Sequence, residues 1–191
     1  MSERRAQSWP VWVFGLLSRI NYAIALLCGV VLLATVIFIL VDIFLRQVAG
    51  RGLGGSDEIS GYVIAGVAAW GFSYALVVRA HVRIDVLTGR LPPAGRALFD
   101  LVAAASLTLV AALVTSYGWR VFYRSWDRGS RANTPLETPL WIPQSIWLSG
   151  WAWLTLVSAI VTICIAALML MKRYDTVQAV GGIGSELEEE R

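Results

Sequence analysis

Four stretches of this chain, residues 22–41, 59–78, 101–119 and 138–171, contain no charged side chain. Crossing ~30 Å of hydrocarbon at ~1.5 Å per residue takes about 20 apolar residues in a helix. Lipid leaves backbone groups no outside partner, so only a helix or a closed barrel can cross it. Stretches this long fit helices and not strands. Of 191 residues, 57% are hydrophobic and 15% charged, well below the ~25% charged share of soluble domains. The expected fold is therefore all-α, an integral membrane four-helix bundle.

Flanking charges and aromatics set the expected bounds. Residues 1–19 form an N-terminal tail holding a short interfacial helix, because 8–17 is Trp-rich, apolar and too short to span. Residues 20–173 form the membrane domain, with spans at about 20–45, 59–79, 97–123 and 143–171. A helix from 143 to 171 would run roughly 43 Å, so it must tilt or project into the headgroups. Pro143 suits its first turn, and Trp141, Trp147, Trp151 and Trp153 mark an aromatic belt there. Residues 174–191 read as an acidic, disordered cytoplasmic tail. The first apolar stretch is too long for a signal-peptide core, so no cleaved leader is expected.

The net charge of +3 carries a topological message, since the arginines flank the apolar stretches and no basic motif with interleaved aromatics points to nucleic acid. With the N-terminus inside, Arg4, Arg5, Arg19, Arg79, Arg83, Arg90, Arg96, Lys172 and Arg173 lie on the inner side. Arg46, Arg51, Arg120, Arg124, Arg128 and Arg131 lie on the outer side. This excess favours cytoplasmic termini. Cys28 and Cys164 both fall inside apolar stretches, which excludes a disulfide framework.

Small residues recur every fourth position on two spans: Gly61, Ala65, Ala69 and Ser73, then Ala104, Thr108, Ala112 and Ser116. Such stripes let helices approach closely. They are expected to pack within the bundle, with docking of a larger membrane partner as the alternative.

The charges gather at helix ends. Asp42 and Arg46, four apart, share a face of the first helix. Asp57 and Glu58 open the second, where the helix dipole favours acidic groups. Arg46 is expected to reach either carboxylate across the short loop, as an ion-pair cluster fixing the hairpin or as a partner-docking surface. His81, Arg83 and Asp85 alternate after the second span. A lone histidine can titrate near neutrality, yet no nucleophile or second base accompanies it. One histidine and two separated cysteines supply neither a metal site nor a haem pair. No enzyme activity, metal or cofactor is expected.

These residues resemble a known family, the DctQ-like small membrane subunits of tripartite ATP-independent periplasmic (TRAP) transporters. The resemblance is carried by Arg46, by Asp57-Glu58 and by the stretch Ala80-His81-Val82-Arg83-Ile84-Asp85-Val86-Leu87. Leu91-Pro92, Arg96 and the approach Thr138-Pro139-Leu140-Trp141-Ile142-Pro143 add to it. It implies a multi-pass protein of the bacterial inner membrane, partnered by a large permease subunit of about twelve helices that carries the substrate and ion sites. It also implies a periplasmic substrate-binding protein delivering an organic acid, with uptake driven by ion gradients. The small subunit would scaffold the large one. Asp42, Arg46, Asp57, Glu58, His81, Arg83, Asp85, Arg128 and Arg131 become interface or structural candidates.

The residues leave two other readings open. A stand-alone small transporter would need a carboxylate facing a cavity in the membrane, for which Asp42 is the candidate. A non-catalytic assembly subunit of another complex would look much the same in sequence.

Overall fold

The computed structural model describes residues 9–78, 80, 91–174 and 176–177. Among these, four long helices follow one another: α1 (Trp9–Ala49), α2 (Ser56–Val77), α3 (Pro93–Asp127) and α4 (Trp141–Leu170). All four are long and apolar enough to cross a membrane. The chain is an all-α, multi-pass membrane protein.

The residues expected to form a separate interfacial helix are the first turns of α1, which runs unbroken for 41 residues. Pro10 sits in the first turn, where its missing N–H removes no bond. No further proline intervenes before Gly50, whose φ of +68° ends the helix. At ~1.5 Å per residue α1 is about 60 Å long, twice a hydrocarbon layer.

The helices stand in an open row. α2 packs between α1 and α4, α3 packs chiefly on α4, and α1 touches α4 only lightly. The connections α1–α2 and α3–α4 lie together at one end, called here the hairpin end. Trp9 and Leu170 lie at the other.

The seams follow a heptad rhythm. On α1 the positions turned inward are Pro10, Phe14, Leu17, Asn21, Ile24, Cys28, Thr35, Phe38, Asp42 and Leu45, each buried or half-buried. On α3 they are Ala97, Leu101, Ala104, Thr108, Ala111, Thr115, Gly118, Phe122 and Ser125. Alternating steps of three and four keep a face aligned with a neighbour crossing at ~20°. Steps of four alone drift by about 40° each and walk off the face. The stripes expected from the sequence are corrected accordingly. Ala104, Thr108, Ala69 and Ser73 do face neighbours, but Ser116, Gly61 and Ala65 are exposed. Ala112 is half-buried.

Helix α4 is the hub because it carries two seams. Leu148, Thr155, Ser158, Thr162 and Ile165 run along one side, and Gly150, Leu154, Val157, Val161, Cys164 and Leu168 along the other. On the first, Thr155 meets Thr115 at 3.0 Å and Thr162 meets Thr108 at 3.1 Å. On the second, a Cβ built at Gly150 would lie 2.8 Å from the Ala69 Cβ and 2.9 Å from the Trp70 backbone nitrogen. The α2–α4 contact therefore requires glycine. Trp70 stacks on Trp153 and donates to the Ile146 carbonyl at 3.2 Å. Trp153 in turn donates to the Asn21 side-chain oxygen at 3.1 Å, and Asn21 donates to the Leu17 carbonyl. A buried asparagine is costly unless bonded in this way, and here it ties α1 to the hub.

Candidate functional site: a polar cluster joining two hairpins

The buried charge of the described chain sits at the hairpin end. Asp42 occupies the α1 seam about two turns before the helix ends, and only 1% of its surface is exposed. Burying a carboxylate demands donors, and three converge on it. The Arg46 guanidinium lies 2.6 Å from Oδ2. The Ser56 hydroxyl donates to Oδ2 at 2.7 Å, and the Leu53 backbone N–H donates to Oδ1 at 2.6 Å. Arg46 also donates to the Ser56 hydroxyl at 3.1 Å, which closes a ring of contacts across the α1–α2 turn.

The turn is built to fit this ring. A side chain at Gly52 would begin 2.6 Å from both Arg46 Nε and Asp42 Oδ1. Gly54 and Gly55 take φ of +74° and +72°, a region that costs other residues ~1–2 kcal/mol. A Cβ at Gly55 would also overlap the Leu136 side chain. The second hairpin therefore lies directly on the first.

Glu58 extends the cluster into that second hairpin. Tyr62, one turn along α2, donates to its Oε1 at 2.8 Å. The Thr134 and Thr138 hydroxyls and the Leu136 N–H face the same carboxylate. They stand at looser geometry, since the buried Oε2 has no partner within strict hydrogen-bond limits. The connection carrying them is folded on itself. Ala132 N–H donates to the Thr138 carbonyl at 2.9 Å and Leu140 N–H to the Ser130 carbonyl at 3.0 Å. A tight turn closes at Glu137, whose φ is +46°.

The expected residues thus separate. Asp42 and Arg46 pair with each other, as their four-residue spacing predicts. The expectation that Arg46 bridges to Asp57 or Glu58 is corrected: it bonds Ser56, while Asp57 is exposed and Glu58 turns to Tyr62 and the second hairpin. Arg46 thus pairs with the buried Asp42 of its own helix and meets α2 through the Ser56 hydroxyl. Arg128 and Arg131 are both exposed, and Arg131 donates to the Glu137 carbonyl at 3.1 Å. His81, Arg83 and Asp85 lie outside the described residues. Sequence reasoning missed Ser56, Leu53, Tyr62, Thr134 and Thr138. Ser56 carried a usable signal, a hydroxyl opening a helix directly after two glycines. A backbone donor such as Leu53 leaves no signal in composition.

Chemically the cluster is a lock across the α1–α2 turn. Every close partner of Asp42 is a donor, and Arg46 compensates its charge. Among the described residues no three of His, Cys, Asp and Glu come together in a way that could hold a metal ion.

The family model for tripartite ATP-independent periplasmic transporters, DctQ component, matches residues 35–168. A protein of Haemophilus influenzae, named provisionally as a TRAP transporter small permease protein, is 28% identical over 103 residues. That alignment covers 54% of this chain and 64% of the relative, so it spans less than two thirds of the relative's length. No solved structure matches.

Proposed function

Since the chain belongs to the DctQ component family of tripartite ATP-independent periplasmic transporters, we propose that it is the small permease subunit of such a transporter. Its role is to scaffold a large permease subunit in the bacterial inner membrane, with both termini cytoplasmic. The large subunit, of about twelve helices, carries the substrate and ion sites. A periplasmic binding protein delivers an organic acid, and ion gradients drive uptake.

The supporting observation is the open row itself. A helix of 41 residues stands at its margin with most of its apolar surface exposed. Asp42, the deeply buried carboxylate among the described residues, is saturated by donors of its own hairpin. A carrier of solute or protons needs a charged group free to change partners, and this one is committed to holding a turn. Such a wall suits a static support and leaves the moving parts to a partner. The exposed Arg128 and Arg131 suit contact with an acidic patch on the binding protein, and His81, Arg83 and Asp85 stand as candidates for contacts with the large subunit.

Affinity purification of the tagged chain from native membranes tests the assembly. It should bring down a much larger polytopic protein, and deletion of the chain should abolish uptake. Transport by the large subunit alone, or solute flux through vesicles holding only this chain, would overturn the scaffold reading. Charge reversal at Arg128 and Arg131 should raise the concentration of binding protein needed for half-maximal uptake; unchanged kinetics would remove that contact from the proposal.

A further inference from the structure

The register between helices fixes which residues share a level along the row. Thr108 faces Thr162 and Thr115 faces Thr155, which places Leu113 of α3 level with Val157 of α4. Gly66 lies against Ile146 and Ala69 against Gly150, so Val157 is level with Val77 of α2. Asp42 meets Ser56, which carries the same level to Asn21 of α1. The Asn21–Trp153 bond agrees with this to within about one turn.

The charge-free stretches are out of step with that register. The shared level falls at the very edge of 22–41 and 59–78 but close to the centre of 101–119. Taking centres, the α2 stretch is level with about Leu148 of α4 and the α3 stretch with about Ile160. The centre of the α4 stretch itself lies between them, near Leu154. Each step from α2 to α4 to α3 shifts the apolar centre by about six residues, or ~9 Å, while α1, which touches both α2 and α4, is offset from α2 by only about two residues. Neighbouring axes stand ~8–10 Å apart. All the stretches must lie in one hydrocarbon layer, which is possible only if the row leans.

We propose that the helix row crosses the bilayer at a lean of about 45°, the angle whose tangent is the ~9 Å shift over the ~9 Å spacing, seating Trp12 and Leu16 of α1 in one headgroup layer and Arg120 and Arg124 of α3 in the opposite one. A lean of this size is just beyond the steep end of the usual range of helix tilts, ~0–40°. It explains why α3 and α4 have 35 and 30 residues where about 20 would cross upright. It also gives the first turns of α1 a place. Trp12 and Leu16 are exposed on one face, while Val13, Phe14 and Leu17 pack on the core. In an upright helix Trp12 would stand roughly 14 Å beyond the hydrocarbon. The lean lowers it to about 6 Å, within reach of the headgroups where tryptophan is favoured. At the far end, Arg120 lies 5.2 Å over the Tyr117 ring. With Arg124 one turn on and also exposed, it meets lipid phosphates.

Spin labels decide between lean and upright. Tyr22, Val78 and Leu113 are all exposed and share a level. Each would be replaced singly by cysteine (Tyr22→Cys, Val78→Cys, Leu113→Cys) in a full-length Cys28→Ala, Cys164→Ala background. The protein, with the subunits that co-purify with it, is placed in vesicles containing phosphatidylglycerol. Label depth is read from the ratio of oxygen to nickel-chelate accessibility. The lean predicts Leu113 near the midplane and the other two at an interface, a difference of roughly 14 Å. Equal depths, within ~4 Å, would overturn it. A second trio guards against a variant that fails to fold: Leu26→Cys, Phe72→Cys and Tyr117→Cys. They also share a level and should differ by about 13 Å, with Tyr117 toward the opposite leaflet. Equal depths there would overturn the lean as well.

Discussion

The α2–α4 contact predicts that a single methyl group added at Gly150 loosens the row. A Cβ at that position would sit 2.8 Å from the Ala69 Cβ and 2.9 Å from the Ala69 carbonyl carbon and the Trp70 nitrogen. Comfortable carbon contacts begin near ~3.5 Å. None of these atoms is the end of a flexible side chain, so α2 itself must retreat by about 0.7 Å, the difference from that contact distance. The Trp70–Ile146 hydrogen bond, at 3.2 Å, then stretches to about 3.9 Å and is lost. Overpacking costs ~1–3 kcal/mol and an intramembrane hydrogen bond adds ~0.6. The better helix propensity of alanine returns up to ~1 kcal/mol. Gly150→Ala should therefore destabilise by about 1–3 kcal/mol net.

Tryptophan fluorescence during thermal unfolding in detergent reads this directly, because Trp70, Trp151 and Trp153 surround the contact. Gly61→Ala is the matched control. A Cβ there meets nothing within 4 Å, so that substitution should leave the melting temperature unchanged or raise it slightly. The pair separates the two seam assignments, since a four-residue repeat places Gly61 in the interface and the heptad places it outside. If Gly150→Ala melts no lower than Gly61→Ala, the close approach of α2 and α4 is not what holds them.

Three further outcomes follow from the same geometry. Gly55→Ala should destabilise through its φ of +72° and its overlap with Leu136; adding Leu136→Ala should relieve only the overlap and leave ~1–2 kcal/mol of backbone cost, read from the two melting curves. In a double-mutant cycle of Thr115→Val and Thr155→Val, the coupling should not exceed ~0.6 kcal/mol, because each hydroxyl also has a carbonyl one turn back to donate to. Asp42→Ala should strip the Leu53 amide of its acceptor and speed hydrogen exchange across the α1–α2 turn, while exchange in the middle of α4 stays slow.

What the sequence made legible was whatever is written in runs. The four crossings, the aromatic cluster at the start of α4 and the Asp42–Arg46 spacing are all local patterns, and local patterns survive in one dimension. The α1 bounds failed differently. The Trp-rich segment 8–17 and the apolar stretch at 22–41 are divided only by Ser18, Arg19, Ile20 and Asn21. One charge and one amide read as an interface. Neither breaks a helix, and the asparagine is satisfied by Trp153 from a helix more than a hundred residues later. The partners of Glu58 were illegible for the same reason. Threonines in a loop gain meaning only once Leu136 has been seated on Gly55.

The heptad seam ties the packing of the helices to their position in the membrane. On α3 the five buried positions Ala97, Ala104, Ala111, Gly118 and Ser125 are all small, and the positions between them are Leu101, Thr108, Thr115 and Phe122. Small residues bring α3 close to α4, and their seven-residue spacing keeps it close over the whole contact without bending. A seam of that length also fixes the axial register firmly, since a slip of α3 by one heptad would trade Thr115 for Thr108 opposite Thr155 and leave Gly118 away from Leu148 and Trp147. Register of this rigidity lets packing and hydropathy disagree about where the membrane should be. Packing sets the stagger between α3 and α2, hydropathy requires a common layer, and the lean of the row is the single adjustment that satisfies both.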